Sequence, residues 1–144
     1  MIKGIPSSTA SLTISILWLF CFFLALAILS RLAFAETIEH STFTSSLDQL
    51  TALYVPYIGG ILGYYFATKR RSARRLMSRG PFFAAIVVSV IWNLAVCVPM
   101  LSVAFGRLAI EDALKLATES GTKLSWLVAP AIGYFFASPG KEAG

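Results

Sequence analysis

Lys69-Arg70-Arg71-Ser72-Ala73-Arg74-Arg75-Leu76-Met77-Ser78-Arg79 carries six basic residues and no acid, and it lies between two long apolar blocks. Short loops rich in Lys and Arg stay on the cytoplasmic side of a membrane, so this stretch sets the direction of the segments on either side of it. The chain around it is 57% hydrophobic and only 13% charged, with mean hydropathy +0.75. A soluble domain carries roughly 25% charged residues. Several stretches have no polar face for close to the roughly 20 residues needed to cross a bilayer. The chain therefore reads as an all-α integral membrane protein, a single transmembrane domain over 1–144. Its expected spans are about 12–30, 48–68, 82–105 and 122–138, arranged as two helical hairpins. The net charge of +5 is smaller than the charge of the basic stretch alone, which excludes a basic nucleic-acid-binding surface and points to anionic lipid headgroups.

Toward the N-terminus, the run from Leu12 to Leu29 is apolar and is followed by Arg31 and by Ala33-Phe34-Ala35, the small-x-small form of a signal-peptidase site. The apolar run is longer than a normal signal core, and Arg31 separates it from the site, so a retained span is favoured over a cleaved signal. Either outcome leaves residue 36 outside. Residues 36–50 hold Glu36, Glu39, His40 and Asp48, and Ser46-Leu47-Asp48-Gln49 has the form of a capping box that starts the second helix near Ser46, with Pro56 as a bend.

At 100° per residue Arg70, Arg71, Arg74 and Arg75 fall on one side of the basic stretch, with Ala73, Leu76 and Met77 on the other. This predicts a short interfacial helix ended by Gly80-Pro81. Lys69, Arg70, Arg71, Arg74, Arg75 and Arg79 are the residues expected to meet anionic lipid or an acidic partner. Beyond the third span, Ile110, Ala113, Leu114 and Ala117 recur at helical spacing, which predicts an amphipathic turn or two on the outer membrane surface before the fourth span. All connections agree on an integral protein of a plasma or inner membrane with both termini cytoplasmic.

Residues 59–68 (Gly-Gly-Ile-Leu-Gly-Tyr-Tyr-Phe-Ala-Thr) align without a gap to 129–138 (Ala-Pro-Ala-Ile-Gly-Tyr-Phe-Phe-Ala-Ser), and Arg31-Leu32-Ala33 matches Arg107-Leu108-Ala109 with a gap. The two hairpins are expected to be a parallel internal repeat about an axis along the membrane normal. The match keeps a small residue at every fourth position, Gly59, Gly63 and Ala67 against Ala129, Gly133 and Ala137. Such stripes let helix backbones approach closely in lipid, here on each other or on another subunit.

Asn93 is the one strongly polar side chain at mid-span and reads as an interhelical hydrogen bond. Cys21 and Cys97 are expected about seven residues apart in depth, roughly 10 Å, too far for a disulfide within one chain. His40 with Glu36 and Glu39 reads as a solvated loop and not as a metal site, and Trp18, Trp92 and Trp126 as packing and interface anchors. No HExxH, GxSxG or phosphate-binding glycine loop is present, so neither an enzyme nor a cofactor is expected. The favoured function is association within the membrane, as an accessory, scaffold or self-assembling component with a homo-oligomeric or membrane-protein partner. The alternative is a subunit of an oligomeric channel or small transporter, in which Pro56, Gly59, Gly60 and Pro130 interrupt helices in matching halves.

Overall fold

The computed structural model describes residues 5–68, 75–77, 79–137 and 141–142. In chain order these form β1 (Ile5–Pro6), α1 (Ser7–Phe34), α2 (His40–Thr68), β2 (Arg75–Met77), α3 (Arg79–Ala104), α4 (Ile110–Ala137) and β3 (Lys141–Glu142). Helix α1 has neither Gly nor Pro, and its hydroxyls near the start return to the helix, as when Ser15 Oγ donates to the Ser11 carbonyl at 2.8 Å. At 1.5 Å per residue each helix is about 40 Å long, more than the roughly 30 Å of a bilayer core. Among the described residues, α1 over Thr9–Phe34 and α3 are the helices long and apolar enough to be candidate membrane spans.

Both even-numbered helices start earlier than the sequence predicts. Helix α2 begins at His40, so Ser46 is a buried interior residue and not a cap. Helix α4 begins at Ile110 and absorbs the amphipathic segment: Ile110, Ala113, Leu114 and Ala117 are buried in the bundle instead of lying on a membrane surface. The helical periodicity holds, but neighbouring helix surface buries that apolar stripe more completely than a headgroup layer would.

Strand β2 pairs antiparallel with β1, Ile5 opposite Met77, and with β3, Arg75 opposite Glu142. This small sheet gathers the two ends of the chain and the end of the basic stretch at one end of the bundle. Arg75–Met77 are therefore extended and not part of an interfacial helix, since the chain's two ends supply backbone partners there. Residues 69–74 and 78 lie outside the described residues.

The two hairpins turn in the same way. After α1, Glu36 takes the left-handed conformation (φ 53°), its N–H donates to the Ala33 carbonyl at 3.1 Å, and the Thr37 N–H donates to Leu32 at 3.0 Å. After α3, Gly106 (φ 68°) donates to Val103 at 2.9 Å and Arg107 to Ser102 at 2.8 Å. Both are Schellman motifs. Every residue of the second is the first plus 70, as are the helix ends Phe34 and Ala104 and the helix starts His40 and Ile110. The ungapped match of 59–68 with 129–138 shares this register. The gapped match does not: Arg31 sits in the last turn of α1, whereas Arg107 follows the left-handed Gly106.

Around the bundle the order is α1, α2, α4, α3, with α1 packed on α3 and α2 on α4, and α3 and α4 in the most extensive contact. A two-fold axis along the bundle would put α1 diagonal to α3. Helices running in the same direction are instead neighbours, so the hairpins lie side by side and the expected two-fold relation does not hold.

Candidate functional site

Midway along the bundle Trp92 of α3 touches all three other helices. Its indole N–H donates to the Gly121 carbonyl of α4 at 2.9 Å, its ring stacks on Trp18 of α1 at 4.7 Å, and Tyr54 and Tyr57 of α2 each approach it at 5.2 Å. Trp18, Tyr54 and Trp92 are fully buried. Ring pairs of this kind contribute about 0.5–1.5 kcal/mol each beyond the area they bury.

Gly121 makes room for this cluster. A Cβ built there would lie 3.2 Å from Leu53 Cδ2 and 3.3 Å from Trp92 Cζ2. Gly121 belongs to a longer ridge of small residues at every fourth position of α4: Ala113, Ala117, Gly121, Ser125, Ala129, Gly133 and Ala137. A ridge at spacing four drifts about 40° around the helix per step. Its first three members are accordingly buried in the bundle, and Ala129 and Gly133 have rotated to the exposed surface.

The predicted packing residues thus divide. Gly59 and Gly63 of α2 and Gly133 of α4 are exposed, with nothing within 4 Å of where a Cβ would stand. They do not hold α2 to α4 within the chain. Ala67 and Ala137 lie at the ends of α2 and α4, and their side chains are outside what is described. Ala129 and Gly133 line an apolar groove of about 610 Å³ between α2 and α4, together with Gly60, Pro56, Tyr57 and Tyr64. Tyr64 and Phe136 close its floor, with ring centres 4.5 Å apart.

Asn93 is buried as expected, but its amide donates to the Ser89 carbonyl one turn back on its own helix at 2.8 Å and not to another helix. An i−4 carbonyl is the nearest acceptor, and the neighbouring backbones are already paired within their helices. Asn93 Oδ1, Ser89 Oγ, Trp18 Nε1 and Thr118 Oγ1 are buried without a hydrogen-bond partner among the described residues.

The cysteines correct the sequence reading more sharply. Cys97 Sγ lies 3.8 Å from the Cys21 carbonyl oxygen and 3.7 Å from the Tyr54 hydroxyl, so the two cysteines are neighbours across α1 and α3. The expected separation assumed that α1 and α3 start at one level. In the structure the contacts between them join Trp18 to Trp92 and Cys21 to Cys97, pairs four and six places out of the plus-70 register, which is about 6–9 Å along a helix.

Of the basic residues, Arg75 opens β2 and Arg79 opens α3 with its side chain exposed, whereas Lys69, Arg70, Arg71 and Arg74 lie outside the described residues. At the opposite end of the bundle Ser41, Thr42, Ser45, Ser46, Gln49, Glu111 and Leu114 line a pocket of about 310 Å³. Among the described residues no three His, Cys, Asp or Glu side chains come together as a metal site, His40 with Glu36 and Glu39 included.

Sequence reasoning overlooked Trp92 and Gly121 as a pair. The signal is the ridge of small residues on α4, which begins at Ala113, about four turns before Ala129. No family model matches the chain, and neither a curated protein nor a solved structure is significantly similar to it.

Proposed function

We propose that the chain is a non-enzymatic, small polytopic protein of a plasma or inner membrane that acts through helix–helix association. All four helices cross the bilayer, the two hairpins are copies of one unit, and both termini and the basic stretch face the cytoplasm. There Lys69, Arg70, Arg71, Arg74, Arg75 and Arg79 meet anionic headgroups. Membrane insertion is supported by the outward surface: Leu12, Ile16, Phe20 and Phe23 on α1, Phe83, Val87, Ile91, Leu94 and Val98 on α3, Val55 and Phe66 on α2, and Trp126, Leu127 and Tyr134 on α4 are all exposed. A belt of that extent is untenable in water.

Association rests on one observation above all, the exposed glycine face of α2 and α4. Gly59, Gly60, Gly63 and Gly133 have open space where a Cβ would stand, and Gly60 and Gly133 line a groove into which a further helix backbone can settle. Gly63→Leu and Gly133→Leu are expected to keep the monomer's detergent stability within about 0.5 kcal/mol, as surface substitutions do, and to abolish crosslinked homo-oligomers or partner capture in membranes. Unchanged crosslinking in both variants would show that this face meets lipid.

A second reading, a subunit of an oligomeric channel or small transporter, draws on Pro56 in α2 and Pro130 in α4, with Pro56 lining the groove. The aromatic cluster around Trp92 fills the centre of the single bundle, so a path would have to run between subunits. Ion flux through liposomes containing the purified protein separates this reading from a purely associative one.

A further inference from the structure

The chain has two cysteines, 76 positions apart, one on each hairpin, and the fold makes them neighbours at mid-bundle, with the Cys97 sulfur 3.8 Å from the Cys21 backbone. Cys97 is buried and its sulfur lies between the Tyr54 hydroxyl at 3.7 Å and the Cys21 carbonyl at 3.8 Å. Cys21 is half-buried, and its neighbours Phe20 and Phe23 are exposed on the lipid-facing side of α1. One sulfur is thus reachable from the apolar surface and the other waits behind it, held by a tyrosine. This is the arrangement of an attacked and a resolving thiol.

We propose that Cys21 and Cys97 form a dithiol that a lipid-soluble hydroperoxide converts into an intramolecular disulfide joining the two hairpins. In the first step the Cys21 sulfur attacks the hydroperoxide. An S–O bond forms and the O–O bond breaks. The departing alkoxide leaves as an alcohol with the thiol proton, and Cys21 becomes a sulfenic acid. In the second step the Cys97 sulfur attacks the Cys21 sulfur, the S–S bond forms, the S–O bond breaks, and the hydroxide leaves as water with the Cys97 proton. The two thiols together lose two electrons to the peroxide, and the products are one disulfide, one alcohol and one water. Cys21 lies at the middle of α1, which on the membrane insertion proposed above is away from both aqueous faces, so the oxidant class is one that partitions into the bilayer.

The test uses the full chain in liposomes treated with cumene hydroperoxide, then denatured and reacted with a maleimide-linked polymer that adds a gel shift per free thiol. Untreated protein is expected to carry two shifts. Treated protein is expected to run as an unshifted monomer that regains both after reduction, and Cys97→Ser is expected to stop at a sulfenic acid trapped on Cys21 by a dimedone reagent. Two thiols still titratable after treatment would overturn the proposal, as would disulfides formed only between chains.

Discussion

Replacing Gly121 tests the packing at the centre of the bundle. In Gly121→Ala the new methyl meets Leu53 Cδ2 at 3.2 Å and Trp92 Cζ2 at 3.3 Å. The Leu53 methyl can turn aside, but the indole is held by its hydrogen bond to the Gly121 carbonyl at 2.9 Å and by stacking on Trp18. Overpacking costs about 1–3 kcal/mol, and the gain in helix propensity returns up to about 1 kcal/mol, so the alanine variant should lose about 0–2 kcal/mol. Gly121→Leu must displace the indole itself. It forfeits a hydrogen bond of about 1 kcal/mol and ring contacts of about 0.5–1.5 kcal/mol each, for a loss of about 3–5 kcal/mol. Denaturation in mixed micelles, followed by tryptophan fluorescence, measures both variants against Gly133→Leu at an exposed position where a Cβ meets nothing within 4 Å. A loss for Gly121→Leu no larger than that for Gly133→Leu would refute the packing at Trp92.

Two further substitutions address the turn and the basic stretch. Glu36 occupies a left-handed conformation that its counterpart Gly106 adopts without strain, so Glu36→Gly should stabilise the fold by up to about 1 kcal/mol in the same denaturation assay. Changing Arg70, Arg71, Arg74 and Arg75 together to Gln removes up to about 4 kcal/mol of attraction to an anionic leaflet, at about 1 kcal/mol per residue. Insertion should survive, and the dependence of activity or oligomer formation on anionic lipid should disappear; a variant that keeps this dependence would leave the stretch as a topology signal alone.

Hydropathy and charge made the four-helix architecture legible, because apolar blocks, their lengths and the lone basic stretch are local properties. The starts of α2 and α4 were not. Ser46-Leu47-Asp48-Gln49 satisfies a capping pattern, but nothing local says that six more residues from His40 onward continue the helix and bury Ser46 against the bundle. The groove lined by Ala129 and Gly133 was partly visible as a small-residue stripe, while the inner half of the same ridge was masked by the charged residues around Ala113 and Ala117. The meeting of Cys21 with Cys97 depends on how far α3 is staggered against α1, a tertiary quantity with no trace in either helix alone. The paired strands at the basic end were likewise invisible, because β1 and β3 are two residues each and exist only through each other's neighbour, β2.

The membrane topology proposed for the bundle, with the basic stretch on the cytoplasmic side, is addressed by one labelling experiment. With Cys21 and Cys97 replaced by Ser, a single cysteine is placed at Ser72 in the basic stretch or at Thr37 in the opposite turn, and intact cells are treated with a membrane-impermeant maleimide. Thr37→Cys should label in intact cells, and Ser72→Cys should label only after the membrane is opened. Ready labelling of Ser72→Cys from outside would invert the bundle and remove the cytoplasmic headgroup contact altogether.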